Sequence, residues 1–497
     1  MTLPLPDTAS LPKHPLIVGA EMFERGGGAA QAHVYAANGQ VTAELTLCSP
    51  DDVDAAVKAA RAAHPAWRAL TGDKRRDLMF KLAALIEANV QTLAQLGVIE
   101  KGEPSMVAPY IPMIVAQKFR YFGGWADKIQ GLTVSTWGGP AHDYVAYEPY
   151  GVVGAIIPWN GPLFAAGMVL APALAAGNCV VLKAPDLAPY AVMRLAELFA
   201  EAGFPPGVVN VVTGFGQEVG EPLVTHPDVP HIGFTGGEIA GQKIYELAAK
   251  GLKTVTLELG GKSPNIIFDD ADLDQAVKGV VSGIFAATGQ ICQAGSRLLL
   301  QESIHDAFIE KLIAFVGAAK LGDPASMDTQ IGPVATKPQF DKIMGYIEIA
   351  KAEGARCVYG GKARPDLGPQ FVEPTIFVDV RNDMRIAQEE VFGPVLSVIP
   401  FKDEAEALRI GNDVAYGLAA AVWTKDLKRA MQMTDKLKAG TVWVNNYRAT
   451  SFTSPFGGFK RSGIGRESGM EAVRDYLDVK CVWISSDLEV PNPFIRR

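Results

Sequence analysis

Short runs of β-branched residues that alternate with helical stretches constrain this chain more than any other feature in it. After Gly151 the runs 152–157, 180–182, 208–212 and 254–257 are separated by segments of helical periodicity such as 190–202 and 241–249. Strands alternating with helices at this spacing form a parallel sheet, because each parallel connection needs a crossover long enough to hold a helix. The pattern predicts an α/β fold with helices on both faces of the sheet. A second alternation runs from Leu273 to about Val444 and includes the helical pattern 303–319 and the strand-like run 395–399. At 497 residues the chain exceeds what one hydrophobic core supports, so about two or three domains are expected.

Around this frame stand three further pieces. From Asp51 to about Val98 apolar residues recur at helical spacing, and Asp51 and Asp52 are expected to cap the first helix. Residues 164–182 are rich in Ala and Gly, contain Pro172 and Asn178, and run into Lys183. Such a stretch gains little from transfer into lipid, so it reads as a buried helix followed by a buried strand. Residues 141–147 and 480–484 are strand candidates with no neighbour in sequence, expected to pair with each other or with another subunit.

Charge and cysteine content narrow the function classes. With 46 Lys and Arg against 54 Asp and Glu, the net charge is −8, which leaves no basic field to hold nucleic acid or anionic lipid. Residues 1–14 have neither the apolar core of a secretory signal nor the Arg-rich pattern of a transit peptide, so a cytoplasmic location is expected. The five cysteines (Cys48, Cys179, Cys292, Cys357 and Cys481) are odd in number and far apart, the usage of reduced thiols.

Candidate chemistry sits in four places. Gly236 and Gly241 bracket a strand-to-helix turn after His231, where unpaired N–H groups and the helix dipole receive a pyrophosphate, although a turn can need glycine for geometry alone. The G-x-G-x-x-G fingerprint is absent. Lys183 and Asp186 follow the run 179–182, at the strand edge where open parallel sheets bind ligands; two unrelated surface charges are the alternative. Cys292 lies among small and polar residues and could be a reachable nucleophile or an inert thiol, since a thiol needs a base or positive potential nearby. Glu258, beside two glycines, is a candidate base, but could equally cap or pair with Lys262. Asn160, after the run 152–157, can donate its amide to an oxyanion or serve as a turn residue.

Taken together, these segments resemble the aldehyde dehydrogenase superfamily over nearly the whole chain. The resemblance rests on Pro158-Trp159-Asn160, Lys183, Gly236 and Gly241, Glu258-Leu-Gly-Gly-Lys262, Gly289-Gln-Ile-Cys292, Glu389-Glu-Val-Phe-Gly-Pro394 and Ser454-Pro-Phe-Gly-Gly458, in the family's order and with its spacing between Glu258 and Cys292. It implies a Rossmann-like cofactor domain, a second α/β catalytic domain and a small β oligomerisation element. The corresponding divisions are 1–129 with 149–258, then 259–461, then 130–148 with 462–497. It also implies NAD, with NADP as the alternative, no metal, and a small-molecule aldehyde as substrate.

The resemblance assigns roles residue by residue. Cys292 would attack the aldehyde, Asn160 and the Cys292 N–H would hold the oxyanion, and Glu258 would activate water to hydrolyse the thioester. A glutamate there implies release of an acid rather than transfer to CoA. Lys183 and Asp186 would hold the adenosine ribose with Trp159 nearby, Gly236 and Gly237 would meet the pyrophosphate, Glu390 the nicotinamide ribose, and Phe392 the nicotinamide. Two positions depart from the family's habit: Asp186 is shorter than the usual glutamate, and Gly237 replaces a frequent serine. A substrate tunnel would be lined by Gly161, Met168, Ile291, Gln293, Phe452 and Phe456. Arg448 is a candidate for binding a carboxylate on the substrate, with a solvated or structurally paired arginine as the alternative. The bridging element implies a homodimer or homotetramer. The rivals are a crystallin-like protein without catalysis and a cofactor-independent cysteine esterase.

Overall fold

The computed structural model describes residues 3–136, 141–486 and 492–495. Two large parallel sheets organise it, and a small antiparallel sheet stands beside them. The first runs in the order Glu21–Phe23, Leu16–Val18, Val209–Gly214, Cys179–Pro185, Val152–Ile156, His231–Thr235, Thr254–Glu258, Gly463–Ile464. Its five middle strands are mutually parallel, and their residues are almost continuously buried, as β-branched runs covered on both faces must be. From Val152–Ile156 the chain first winds outward through Cys179–Pro185 and Val209–Gly214. It then returns to the other side with His231–Thr235. The order therefore reverses between Val152–Ile156 and His231–Thr235, which opens a crevice at their C-terminal ends.

Residues 164–182 form the expected helix and strand. Pro162–Ala175 is buried on nearly every residue. Asn178 occupies the turn after this helix, and its side-chain amide satisfies the backbone there: Oδ1 accepts from Gly151 N (2.9 Å) and Nδ2 donates to Tyr476 O (2.9 Å).

The first helix, Pro50–Ala69, differs from expectation at its start. Ser49 caps it, accepting from Asp52 N, while Asp52 Oδ2 accepts from Ser49 N (2.7 Å) and from Gly27 N (2.7 Å). Pro50 at the first helical position lacks an N–H and fixes φ, which moves the cap to Ser49, two residues ahead of Asp51. Asp51 and Asp52 remain in the first turn, where they favour the dipole.

The second sheet runs Arg356–Tyr359, Thr375–Val378, Val395–Phe401, Arg297–Gln301, Pro264–Ile267, Ala419–Trp423, Thr441–Val444, parallel except at its first strand. Residues 259–263 lead directly from the last parallel strand of the first sheet into Pro264–Ile267. The strand candidates near 141 and 480 pair with each other: Ala141–Pro149 and Leu477–Ser485 are antiparallel along their full length, with Leu132–Val134 completing a three-stranded sheet. Residues 137–140, 487–491, 496 and 497 of the expected bridging segments lie outside the described residues. No single helix among the described residues is long and apolar enough to cross a membrane.

Arg297 begins the second sheet's central strand and is fully buried. Its Nε donates to Lys262 O (2.9 Å), Nη1 to Ile410 O (2.9 Å) and Asn382 Oδ1 (3.1 Å), and Nη2 to Gly411 O (2.8 Å). The charge is thus spread over carbonyl oxygens, and although burial pushes its pKa down to about 10, it stays protonated at neutral pH. Arg297→Met leaves these carbonyls without a donor and should cost about 3 kcal/mol or more. A denaturation midpoint equal to that of the parent would refute this account of the junction.

Candidate active site

The crevice at the sheet reversal is a cleft of about 500 Å3. Its wall carries Trp159, Asn160, Lys183, Asp186, Gly236, Gly237, Glu258, Cys292, Glu390 and Phe392, which unites every expected catalytic and cofactor position. They arrive from both sheets. Asn160 lies beyond Val152–Ile156, Lys183 and Asp186 lie at the end of Cys179–Pro185, and the glycines precede the Glu238–Lys250 helix. Glu258 ends Thr254–Glu258, and Cys292 comes from the loop before Arg297–Gln301.

Glu258 is a strand residue rather than part of a free loop: it pairs with Thr235 on one side and Gly463 on the other. Its side chain is buried, and neither carboxylate oxygen has a hydrogen-bond partner. Lys262 Nζ is likewise buried without a partner, so the two are not an ion pair. A Cβ placed on Gly457 would lie 2.9 Å from Glu258 Oε1, which shows where the carboxylate points. Asn160 Nδ2 donates to Gln290 O (2.9 Å), fixing the amide beside the cysteine loop while leaving its second N–H uncommitted.

The cofactor positions have matching local chemistry. Gly237 is followed directly by the Glu238–Lys250 helix, and a Cβ there would meet nothing within 4 Å, so the helix N-terminus opens onto free space. Lys183 is buried, with Ala184 O at 3.2 Å as the acceptor of its ammonium group. Glu390 Oε1 accepts from Gly261 N (3.0 Å); a side chain at Gly260 would collide with the same carboxylate. Phe392 has left-handed backbone (φ +58), held by Gln339 Nε2, which donates to Val391 O and Phe392 O (both 2.9 Å). Its ring meets Trp159 edge-on, with centroids 5.7 Å apart. Trp159 therefore stands with Phe392.

The expected tunnel residues are not on this wall. Ile291 and Gln293 flank Cys292, and Met168 is buried in the Pro162–Ala175 helix. Phe452 packs on Tyr121 with centroids 5.6 Å apart, and Gly161 precedes the Pro162–Ala175 helix, where a Cβ would touch Phe164 Cβ at 3.9 Å. Phe456 is bridged to Glu467 through the backbone. Arg448, half-buried and at φ +65, donates from Nη1 to Ser282 O (3.2 Å), a carbonyl in the last turn of Leu273–Ile284.

Comparison with known proteins agrees with this geometry. The model of the aldehyde dehydrogenase family matches residues 24–482. The chain belongs to that family. An aldehyde dehydrogenase of Emericella nidulans is 46% identical over 447 residues, covering 90% of each chain. One from Agaricus bisporus is 43% identical over 456 residues, covering 91% of each. Among solved structures, an aldehyde dehydrogenase of Bacillus cereus in complex with NAD+ superposes with a TM-score of 0.93 at 41% identity, covering 96% of this chain and 97% of that one. A betaine aldehyde dehydrogenase of Staphylococcus aureus in complex with NAD+ gives 0.95 at 37% identity, covering 98% and 97%.

Within this family member, the electrostatics at rest favour neutral forms. Burial first, then the charges of Glu258 and Glu390, push the Cys292 thiol up to about 12, opposed by the backbone N–H groups of Gln293 and Cys292. Burial raises Glu258 well above the usual carboxylate range; Glu467 and Asp475 add to this, and Arg466 opposes it. Glu467 is itself pushed up to about 8 by burial, opposed by Lys118, whose ammonium is driven down to about 7 by burial and sits 4.1 Å over the Phe164 ring. Sequence reasoning missed Glu467 and Lys118. Neither lies in a motif, and only the fold brings the helix Tyr110–Gly123 and the segment after Gly463–Ile464 to Glu258. Because Glu467 raises Glu258, Glu467→Gln should let Glu258 ionise at lower pH and move the acid limb of the kcat–pH profile downward. An acid limb that stays in place would refute the coupling.

Proposed function

We propose that the chain oxidises an aldehyde to the carboxylic acid with NAD, NADP being the weaker alternative, through a thioester on Cys292. The observation that carries this reading is the convergence of Cys292, Glu258 and Asn160 on the same cleft as Lys183, Asp186 and Glu390. A cysteine esterase would have no use for the second set. The named relatives that bind NAD+ support it from outside the chain.

The cofactor fits the residues present. The free N-terminus of Glu238–Lys250 and the space at Gly237 suit a pyrophosphate. Lys183 has donor capacity to spare for ribose hydroxyls, Asp186 accepts from one and repels a 2′-phosphate, and Glu390 is held by Gly261 N to accept from the other ribose. Bound cofactor supplies an acceptor for the hydride that turns the thiohemiacetal into a thioester.

The protein's own groups do the rest. Cys292 Sγ, its proton passing to Glu258 directly or through water, attacks the aldehyde carbon. The second N–H of Asn160 and the Cys292 N–H take the developing oxyanion, which costs no reorganisation because both are fixed beforehand. Glu258 has no hydrogen bonds that would hold it ionised or fixed; once it has passed the thiol's proton to solvent, it takes a proton from water attacking the thioester, and the C–S bond breaks to release the acid and return the Cys292 sulfur as thiolate. Burial raises its pKa, which makes its carboxylate a stronger base than an exposed one.

Arg448 supports a narrower substrate class. It is half-buried, makes one hydrogen bond, and has no ion-pair partner among the described residues, so a carboxylate at the far end of the aldehyde would complete it. Subunit association through the small sheet is also proposed: Leu477–Ser485 is an edge strand that exposes Val479 (67%), Trp483 (57%) and Ile484 (53%). A monodisperse monomer in light scattering would contradict it.

Two kinetic tests follow from these assignments. Cys292→Ser should abolish aldehyde-dependent NADH formation, whereas Glu258→Gln should retain a slowed pre-steady-state NADH burst with steady-state turnover down by about 100-fold or more. Full turnover in Glu258→Gln would remove its role in hydrolysis. Arg448→Ala should reduce kcat/KM about tenfold for carboxylated aldehydes and spare neutral ones; equal losses would assign Arg448 to the helix end alone.

A further inference from the structure

Against the nucleophile's loop, and outside the cleft wall, stands a side chain that the proposed reaction does not use. Tyr447 is buried, and its Oη donates to Gln293 O at 2.9 Å. Its ring packs on Trp443 with centroids 4.8 Å apart, and Trp443 is anchored in turn by Nε1 donating to Ala449 O (2.8 Å). Two glycines make room for the phenol: a Cβ on Gly283 would lie 3.1 Å from its ring, and one on Gly295 would lie 2.8 Å from Oη. Burial pushes the phenol out of its titration range, so it is a permanent donor.

The preceding part of the same loop is fixed by other groups. Gln290 O accepts from Asn160 Nδ2, and Gln290 Oε1 accepts from Ala335 N (3.0 Å). The Cys292 carbonyl lies so close to Gly261 that a Cβ there would be 2.7 Å away. Gln293 is the joint between these two anchorages.

We infer that Tyr447 is a positioning residue: by holding the Gln293 carbonyl it fixes the chain directly after Cys292, and so places the sulfur and the Cys292 N–H for attack on the bound aldehyde. The inference rests on Cys292 being the nucleophile. The hydroxyl, rather than the ring, carries the effect. Losing it leaves a buried carbonyl without a donor and lets the peptide turn, and small misplacements of reacting groups carry large kinetic costs.

Tyr447→Phe keeps the ring, the Trp443 contact and the glycine packing, so it separates positioning from filling space. The single-turnover rate of NADH formation should fall roughly 10- to 100-fold, while the dissociation constant for NAD, read by protein fluorescence, stays within about twofold. Gly295→Ala displaces the same phenol without altering it and should reproduce the split. A folded Tyr447→Phe whose single-turnover rate stays within about twofold of the parent overturns the inference. If Tyr447→Phe does not fold, the same two outcomes are read from Gly295→Ala. Cys292→Ser, assayed alongside, separates the readings: activity surviving there topples the nucleophile assignment, whereas an inactive Cys292→Ser with an unaffected Tyr447→Phe topples only the positioning role.

Discussion

The structure depends on the short passage between two sheets, residues 259–263, more than on any other stretch. It starts from a buried carboxylate at the end of one parallel strand and ends at the first residue of a strand in the next sheet. Within it Gly260 gives way to the Glu390 carboxylate, Gly261 donates to that carboxylate and lies against the Cys292 carbonyl, and Lys262 gives its carbonyl to Arg297. The Glu390 carboxylate, the Cys292 loop and the start of the central strand thus share one set of backbone atoms. Side chains larger than glycine would force the sheets apart, and with them the two halves of the chemistry.

Placing those groups in so dry a site has an electrostatic cost, and the cost has a use. The carboxylates of Glu258 and Glu467, the thiol of Cys292 and the ammonium of Lys118 are all driven toward their neutral forms by burial. A neutral resting thiol resists oxidation, because thiolate character governs that reactivity. The same burial leaves Glu258 a stronger base than an exposed glutamate, which suits the proposed transfer of protons to it from a thiol and from water. The satisfied Arg297 and the unsatisfied Glu258 mark the contrast between a charge that supports the fold and one that is held for reaction.

Much of this was legible in the sequence because it is local. Alternating β-branched runs marked the parallel strands, the Ala-rich stretch after Phe164 resolved into a buried helix and strand, and the motif residues around the cleft followed from short segments. What was not legible depended on contacts between distant segments. The helix cap moved to Ser49 because Pro50 occupies the first helical position. Glu467, Lys118 and Tyr447 carry no local signature: an acidic residue after a glycine-rich turn, a lysine on an amphipathic helix and a tyrosine after two asparagines are each unremarkable until the fold sets them beside Glu258 or Gln293. Arg448 was weighed as either a substrate contact or a structural group, and its bond to Ser282 O gives it at least the second part.

The pairing of Leu477–Ser485 with Ala141–Pro149 has a consequence for how the molecule is made. Translation delivers the first sheet's five parallel strands long before the segment that supplies its last strand, Gly463–Ile464, and the Glu467 carboxylate beside Glu258. Tyr476 O, the acceptor for Asn178, arrives later still. On the ribosome the cofactor half must therefore wait with an unpaired edge at Thr254–Glu258 and a half-built environment around its base. Emergence of residues 463–476 closes the edge, and a chain cut directly before residue 463 would carry the motifs of the site without the surroundings that tune it.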